Sequence, residues 1–175
     1  MTFNFTAYSI IPLLLAAIAA YLACQVYSRR PAPGVQPFTV FIVFVCIWII
    51  LRLLQSAAEI YNTKLVLAVA MYLCIATAAI LWLTFTLDYS GRTFWKRPVY
   101  FILLYLIPII SVLLLATFRW HGIDVFRVTP NYDQAGLLLV WQRGFLFWLQ
   151  MGYLLLLVAT GDFILWQHII KIQGI

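Results

Sequence analysis

"FTLDYSGRTFWKRPVYF", residues 85–101, decides how this chain is read. An apolar run stops at Asp88, turns through Ser90 and Gly91, passes Arg92, Trp95, Lys96 and Arg97, and becomes apolar again at Pro98. Such a stretch is either a surface turn of a soluble protein or a chain touching one side of a membrane and going back in. Composition separates the two. The 175 residues are 66% hydrophobic and 9% charged, whereas soluble domains carry roughly a quarter charged residues. A single soluble core of this size cannot hide so much apolar surface. The expected fold class is all-α, a polytopic integral membrane helical bundle forming one domain over residues 1–175.

A membrane-spanning helix needs about 20 apolar residues. Five runs qualify, at about 7–28, 37–60, 64–87, 98–118 and 138–168, joined outside by a longer loop at 119–136. None alternates like an outer-membrane strand. The first run has no preceding Lys or Arg and no small-residue cleavage site, so it reads as a retained span rather than a signal peptide. The fifth is too long for one register. A start near Leu137 embeds Arg143, and a start near Gly144 leaves Arg143 interfacial and buries Asp162 in the bilayer.

Basic residues set the expected direction. With the N-terminus outside, the inner loops collect Arg29, Arg30, Arg92, Lys96, Arg97 and Lys171, and the outer loops hold Lys64, Arg119 and Arg127. The C-terminus is then cytoplasmic, and residues 85–101 form an inner turn with Trp95 at headgroup depth. The expected location is a membrane that the chain crosses several times.

Several function classes find no support. The net charge of +6 sits at the ends of apolar runs, not on one face or tail, which argues against nucleic acid. Cys24, Cys46 and Cys74 lie in three different runs without CxxC spacing and read as apolar packers. Ala16, Ala19, Ala20 and Ala23 share helical spacing that permits close helix approach. No nucleophile elbow, Walker loop or HExxH motif is present, so no enzyme and no cofactor is expected. His121 and His168 fall on opposite sides of the membrane, and His168 alone is a weak candidate metal ligand.

The polar residues inside the runs carry the functional reading, because charges within a bilayer are rare and usually face the bundle interior. In "WIILRLLQSAAEIY", Arg52, Gln55 and Glu59 are spaced i, i+3, i+7 and share a helix face. If Arg143 enters from the same side, with Gln150 two turns deeper, these groups form an outer-half pocket. Two guanidiniums and one carboxylate would suit an anionic or carbonyl-rich small ligand. The plainer reading makes Arg52 and Glu59 an internal bridge and lets Arg143 snorkel outward. Asp88 is expected to pair locally with Arg92, and Asp162 to be either an inner-boundary acid or the partner of a further helix.

The ordered features resemble a known family. "RRPAPGVQPFTVFIVFVCIWIILRLLQSAAE" (29–59), "FTLDYSGRTFW" (85–95) and "IPIISVLLLATFRWHGI" (107–123) are similar to the seven-transmembrane module found N-terminal to many bacterial histidine kinases. Trp48, Glu59, Asp88, Tyr89, Gly91, Arg92, Pro108, Thr117, His121 and Gly122 fall on its pattern, most of them in structural roles. Phe118 stands where the family usually has Asn, and only five of seven helices are read here. The resemblance implies a non-catalytic sensor or receptor module for signal transduction, whose partners are the lipid bilayer and a C-terminal output domain. The alternative is an accessory subunit packing against other membrane-protein subunits of a larger complex, around cofactors those subunits bind.

Overall fold

The computed structural model describes residues 10–92, 97–116, 126–133 and 136–173. Thr117, His121 and Gly122 lie outside this range, as do Trp95 and Lys96. Five helices run α1 (Ile10–Tyr27), α2 (Val35–Ala57), α3 (Tyr61–Tyr89), α4 (Pro98–Ala116) and α5 (Phe145–Gln173), with strands β1 (Phe126–Asp133) and β2 (Gly136–Arg143) between α4 and α5. Helices α1, α2, α3 and α5 are long and apolar enough to cross a membrane, and the apolar stretch of α4, Pro98–Leu114, is slightly shorter. At about 1.5 Å per residue α4 still extends roughly 28 Å, close to the thickness of a hydrocarbon layer. Long apolar side chains face outward on these helices, among them Leu13, Ile18, Ile102, Leu155 and Ile172. The chain is a multi-pass membrane protein.

The bundle has two ends. One carries the β-hairpin and the α2–α3 turn; the other carries the α1–α2 turn around Gly34 and the C-terminus of α5. Helix α3 is the centre, packing against α2, α4 and α5, while α1 leans on α2. The main core joins Ala76, Ala79, Ile80, Leu83 and Leu87 of α3 to Leu154, Leu157 and Ile164 of α5, with Leu104 and Tyr105 of α4 against them. A smaller core joins Ala19 and Ala23 to Ile42. The small-residue stripe of α1 therefore packs as its spacing predicts: Ala16, Ala19 and Ala23 are buried and Ala20 is exposed. The Cys46 thiol donates to the Ala16 carbonyl at 3.4 Å across this interface.

The turn that opened the sequence reading closes α3 by backbone geometry. Gly91 adopts φ 72°, Arg92 N–H donates to Leu87 O at 2.9 Å, and Gly91 N–H donates to Asp88 O at 3.0 Å. This 6→1 and 5→2 pair is a Schellman motif, whose left-handed position favours glycine. Gly34 is the counterpart before α2, with φ 80°. Its N–H donates to Asp88 Oδ2 at 2.9 Å, so the carboxylate of α3 sits at the N-terminus of α2. That placement also suits the positive end of the α2 dipole.

Three sequence expectations are corrected. Of the two registers read for 138–168 the structure has the one that starts near Gly144: the helix begins at Phe145, and the residues before it are not helical, because Gly136–Arg143 pairs antiparallel with Phe126–Asp133, from Asp133↔Gly136 to Phe126↔Arg143. A short apolar run such as Leu137–Trp141 has no period that separates helix from strand, and here pairing with Phe126–Asp133 decides it. The residues of "NTK" (62–64) lie inside α3, and the turn is at 58–60. Consequently Glu59 is beyond the end of α2 rather than on its polar face.

Close approach of α3 and α5 depends on Gly161, where a Cβ would lie 3.1 Å from Trp82 Cδ1 and 3.2 Å from Thr86 Oγ1. Thr86 is fully buried and already donates to Leu83 O, so it has little room to yield. Gly161→Leu should therefore cost about 1–3 kcal/mol by overpacking, read as a lowered midpoint in detergent unfolding. Gly152→Leu, whose Cβ would meet nothing within 4 Å, serves as the control and should be near neutral.

Candidate functional site

The polar groups expected in one pocket occupy two places. At the hairpin end, Arg52 is exposed on α2 and donates from Nη1 to Gln55 Oε1 at 2.8 Å. Gln55 is buried and reaches the Lys64 carbonyl of α3 at 3.5 Å. The i, i+3 spacing of Arg52 and Gln55 therefore acts as read, forming one tethered polar pair on the α2 face. Glu59 is exposed in the turn above them. Arg143 closes the hairpin, two residues before α5 begins; it does not enter the bilayer on that helix.

Gln150 belongs elsewhere. It is fully buried on α5 and accepts at Oε1 from the Ser111 hydroxyl of α4 at 3.0 Å. The Tyr72 side chain of α3 reaches the same Ser111. Gln150 Nε2 faces no acceptor among the described residues. A buried polar cluster thus joins α3, α4 and α5 inside the bundle, and Gln150 serves α4–α5 pairing rather than the Arg52 site.

One turn before Ser111, Pro108 lies inside α4 and is fully buried. Its ring removes the N–H that would bond the carbonyl four residues back, at Leu104. The Tyr153 hydroxyl of α5 donates to that Leu104 carbonyl at 2.6 Å. Tyr153 and Gln150, one turn apart on α5, therefore hold both sides of the α4 proline. Sequence reasoning noticed Pro108 and Gln150 but not this link. A mid-helix proline asks for a donor at i−4, and that rule points to a tyrosine on a facing helix without saying which one.

At the Gly34 end, aromatic rings run across three helices. Phe38 stands 4.7 Å from Phe85, Phe41 5.7 Å from Trp82, Phe85 5.8 Å from Tyr89, and Tyr89 meets the His168 ring edge-on at 5.6 Å. Gly34 leaves space for this ladder, since a Cβ there would lie 3.1 Å from the Phe85 ring. Arg92 bonds Gln167 at 3.3 Å and Trp82 bonds Asp162 at 2.9 Å. A cleft of about 400 Å³ beside this end is lined by Arg30, Gln36 and Asp88. Trp48, on the family pattern, borders an apolar hollow of about 350 Å³ with Cys74 and Ile75. His168 acts here as a packing ring, and among the described residues no three His, Cys, Asp or Glu side chains gather as for a metal.

Residues 11–175 match the family described as the N-terminal 7TM region of histidine kinase. The chain belongs to that family. Neither a curated protein nor a solved structure matches it.

The α4–α5 latch can be weighed by mutation. Interhelical hydrogen bonds in membranes average about 0.6 kcal/mol and reach about 1.7. Tyr153→Phe leaves the Leu104 carbonyl without its donor and should cost toward the upper figure. Gln150→Leu should cost less, because it also removes an unpaired amide and Ser111 can bond back within α4. Reversible unfolding in mixed micelles reads both changes.

Proposed function

We propose that the chain is a non-catalytic sensory module that relays a signal across a bacterial cytoplasmic membrane to an output domain. The observation that carries this reading is the family match over residues 11–175, which spans all five helices. The excess of basic residues at the Gly34 end supports an N-terminus outside, with the hairpin outside as well. The Pro108 joint supports a relay, since it places a helix discontinuity beside the central α3 and secures it by two replaceable side-chain contacts.

The ligand-binding element is the Arg52 guanidinium, oriented by Gln55, with Glu59 in the adjoining turn and Arg143 on the last rung of the hairpin. Its ligand is an anionic small molecule reaching the membrane from the hairpin side. A guanidinium already positioned by an amide loses less side-chain freedom on binding and offers paired donors to a carboxylate or phosphate.

Native mass spectrometry of the protein taken gently from its own membranes tests the relay. The expected result is peptides from a kinase or comparable output domain, in the same chain or in a stoichiometric partner. A fixed ratio with membrane subunits that carry no signalling domain would replace this reading with the accessory-subunit one. For the ligand element, Arg52→Ala should weaken the response to stimulus about tenfold or more, the scale of one lost charge-assisted bond. Its unfolding midpoint should stay within about 0.5 kcal/mol of the parent, as expected for an exposed side chain. A normal dose response in Arg52→Ala would remove the ligand assignment.

A further inference from the structure

The turn between α1 and α2 carries a pair of opposite charges that the Arg52 element does not use. It joins two apolar spans, Ile10–Tyr27 and Val35–Ala57, so it lies where the hydrocarbon of a bilayer gives way to headgroups. The cleft of about 400 Å³ on this turn has Pro31, Pro33 and Val35 in its walls, together with Arg30, Gln36 and Asp88. That volume falls in the usual range of a small-ligand site, roughly 300–1,000 Å³. Arg30 is exposed, and its guanidinium rests on the Tyr27 ring at 4.0 Å. Stacking uses the flat face of the guanidinium and leaves its N–H edge for an acceptor. Among the described residues Arg30 makes no side-chain hydrogen bond. Asp88 comes from α3, with Oδ2 held by the Gly34 N–H at 2.9 Å. A carboxylate has about four acceptor positions, and that bond takes one.

We infer that this cleft binds the headgroup of an aminophospholipid, of the phosphatidylethanolamine class, with its phosphate on Arg30 and its ammonium on Asp88. Charge decides the class. A glycerol-headed phospholipid would satisfy the guanidinium but set its phosphate near the carboxylate as a like charge. A choline headgroup has both charges, yet its quaternary nitrogen has no N–H to give a carboxylate. An ethanolamine headgroup carries a phosphate and a primary ammonium on one short linker. It therefore brings one acceptor group and one donor group to a cleft that offers one of each.

The surroundings suit a lipid. Tyr27, exposed at the end of α1, is the kind of ring that settles at headgroup depth. Bound there, the headgroup ties the α1–α2 turn to α3, beside the point where Asp88 already holds Gly34. The inference needs neither the sensory reading nor a choice of which bundle end faces the cytoplasm.

Native mass spectrometry of the detergent-purified protein tests it, by titration with phosphatidylethanolamine, phosphatidylcholine and phosphatidylglycerol of matched acyl chains. The expected result is one ethanolamine-lipid adduct that binds about tenfold tighter than the other two lipids, the scale of one charge-assisted hydrogen bond. Arg30→Gln, a change at an exposed side chain, should weaken that adduct about tenfold. Arg29→Gln, beside the cleft but not in its walls, should leave it unchanged. Asp88→Asn keeps an acceptor for the Gly34 N–H and loses the charge, so the ethanolamine and glycerol lipids should then bind alike. Free phosphoethanolamine at the lipid's concentration should displace none of it, since it has no chains to anchor in the hydrocarbon. Equal binding of all three lipids, preference for the glycerol lipid, or displacement by free phosphoethanolamine would overturn the inference. So would an ethanolamine preference that survives Arg30→Gln or falls equally with Arg29→Gln.

Discussion

A chain in hydrocarbon has no water with which to complete its hydrogen bonds, and the internal order of this bundle follows from that constraint. Helices satisfy their own backbones, so the informative places are those where a helix fails to do so. Pro108 leaves the Leu104 carbonyl unbonded in α4, and Tyr153 of α5 supplies the missing donor. Asp88 takes up the Gly34 N–H where α2 begins. The two α3 threonines that face the core, Thr84 and Thr86, return their hydroxyls to Leu81 and Leu83 of the same helix.

Packing then adds direction to what hydrogen bonding permits. Without a hydrophobic force between helices in lipid, close approach depends on small side chains. Ala16, Ala19 and Ala23 provide it between α1 and α2, Ala76 and Ala79 contribute to it along α3, and Gly161 provides it between α3 and α5. At the Gly34 end the contrary strategy operates, with large rings filling the seam from Phe41 and Trp82 to Tyr89 and His168. The hairpin end has polar contacts instead, from Arg52 through Gln55 to the Lys64 backbone. Rings therefore fill the Gly34 end, alongside the hydrogen bonds of Asp88, Asp162 and Gln167.

The helices could be read in the sequence because apolar length is a local property, and a run such as Leu65–Leu87 needs no knowledge of its neighbours. The turn at Ser90-Gly91 was equally legible, since glycine after an apolar run commonly ends a helix. What escaped depended on partners distant in sequence. Leu137–Trp141 became a strand through pairing with Phe126–Asp133, and its own composition suited helix or strand. Glu59 left the α2 face because helix periodicity does not say where a helix stops. Gln150 turned to Ser111, a residue 39 positions away, and no spacing within α5 could reveal that. The Asp88 contact with Gly34 spans 54 positions and left no local sign either.

The central place of α3 has a consequence for how the protein is made. A chain inserted from its N-terminus forms the α1–α2 seam as soon as those two helices are in the membrane, since Ala19, Ala23 and Ile42 need nothing later. The main core cannot form so early, because Leu154, Leu157 and Ile164 come from the last helix. Until α5 is inserted, α3 and α4 stand in lipid with Ser111 and the Leu104 carbonyl lacking their α5 partners. The arrival of one helix then supplies both together. The bundle is thus assembled in two stages, and the second is a single closing step.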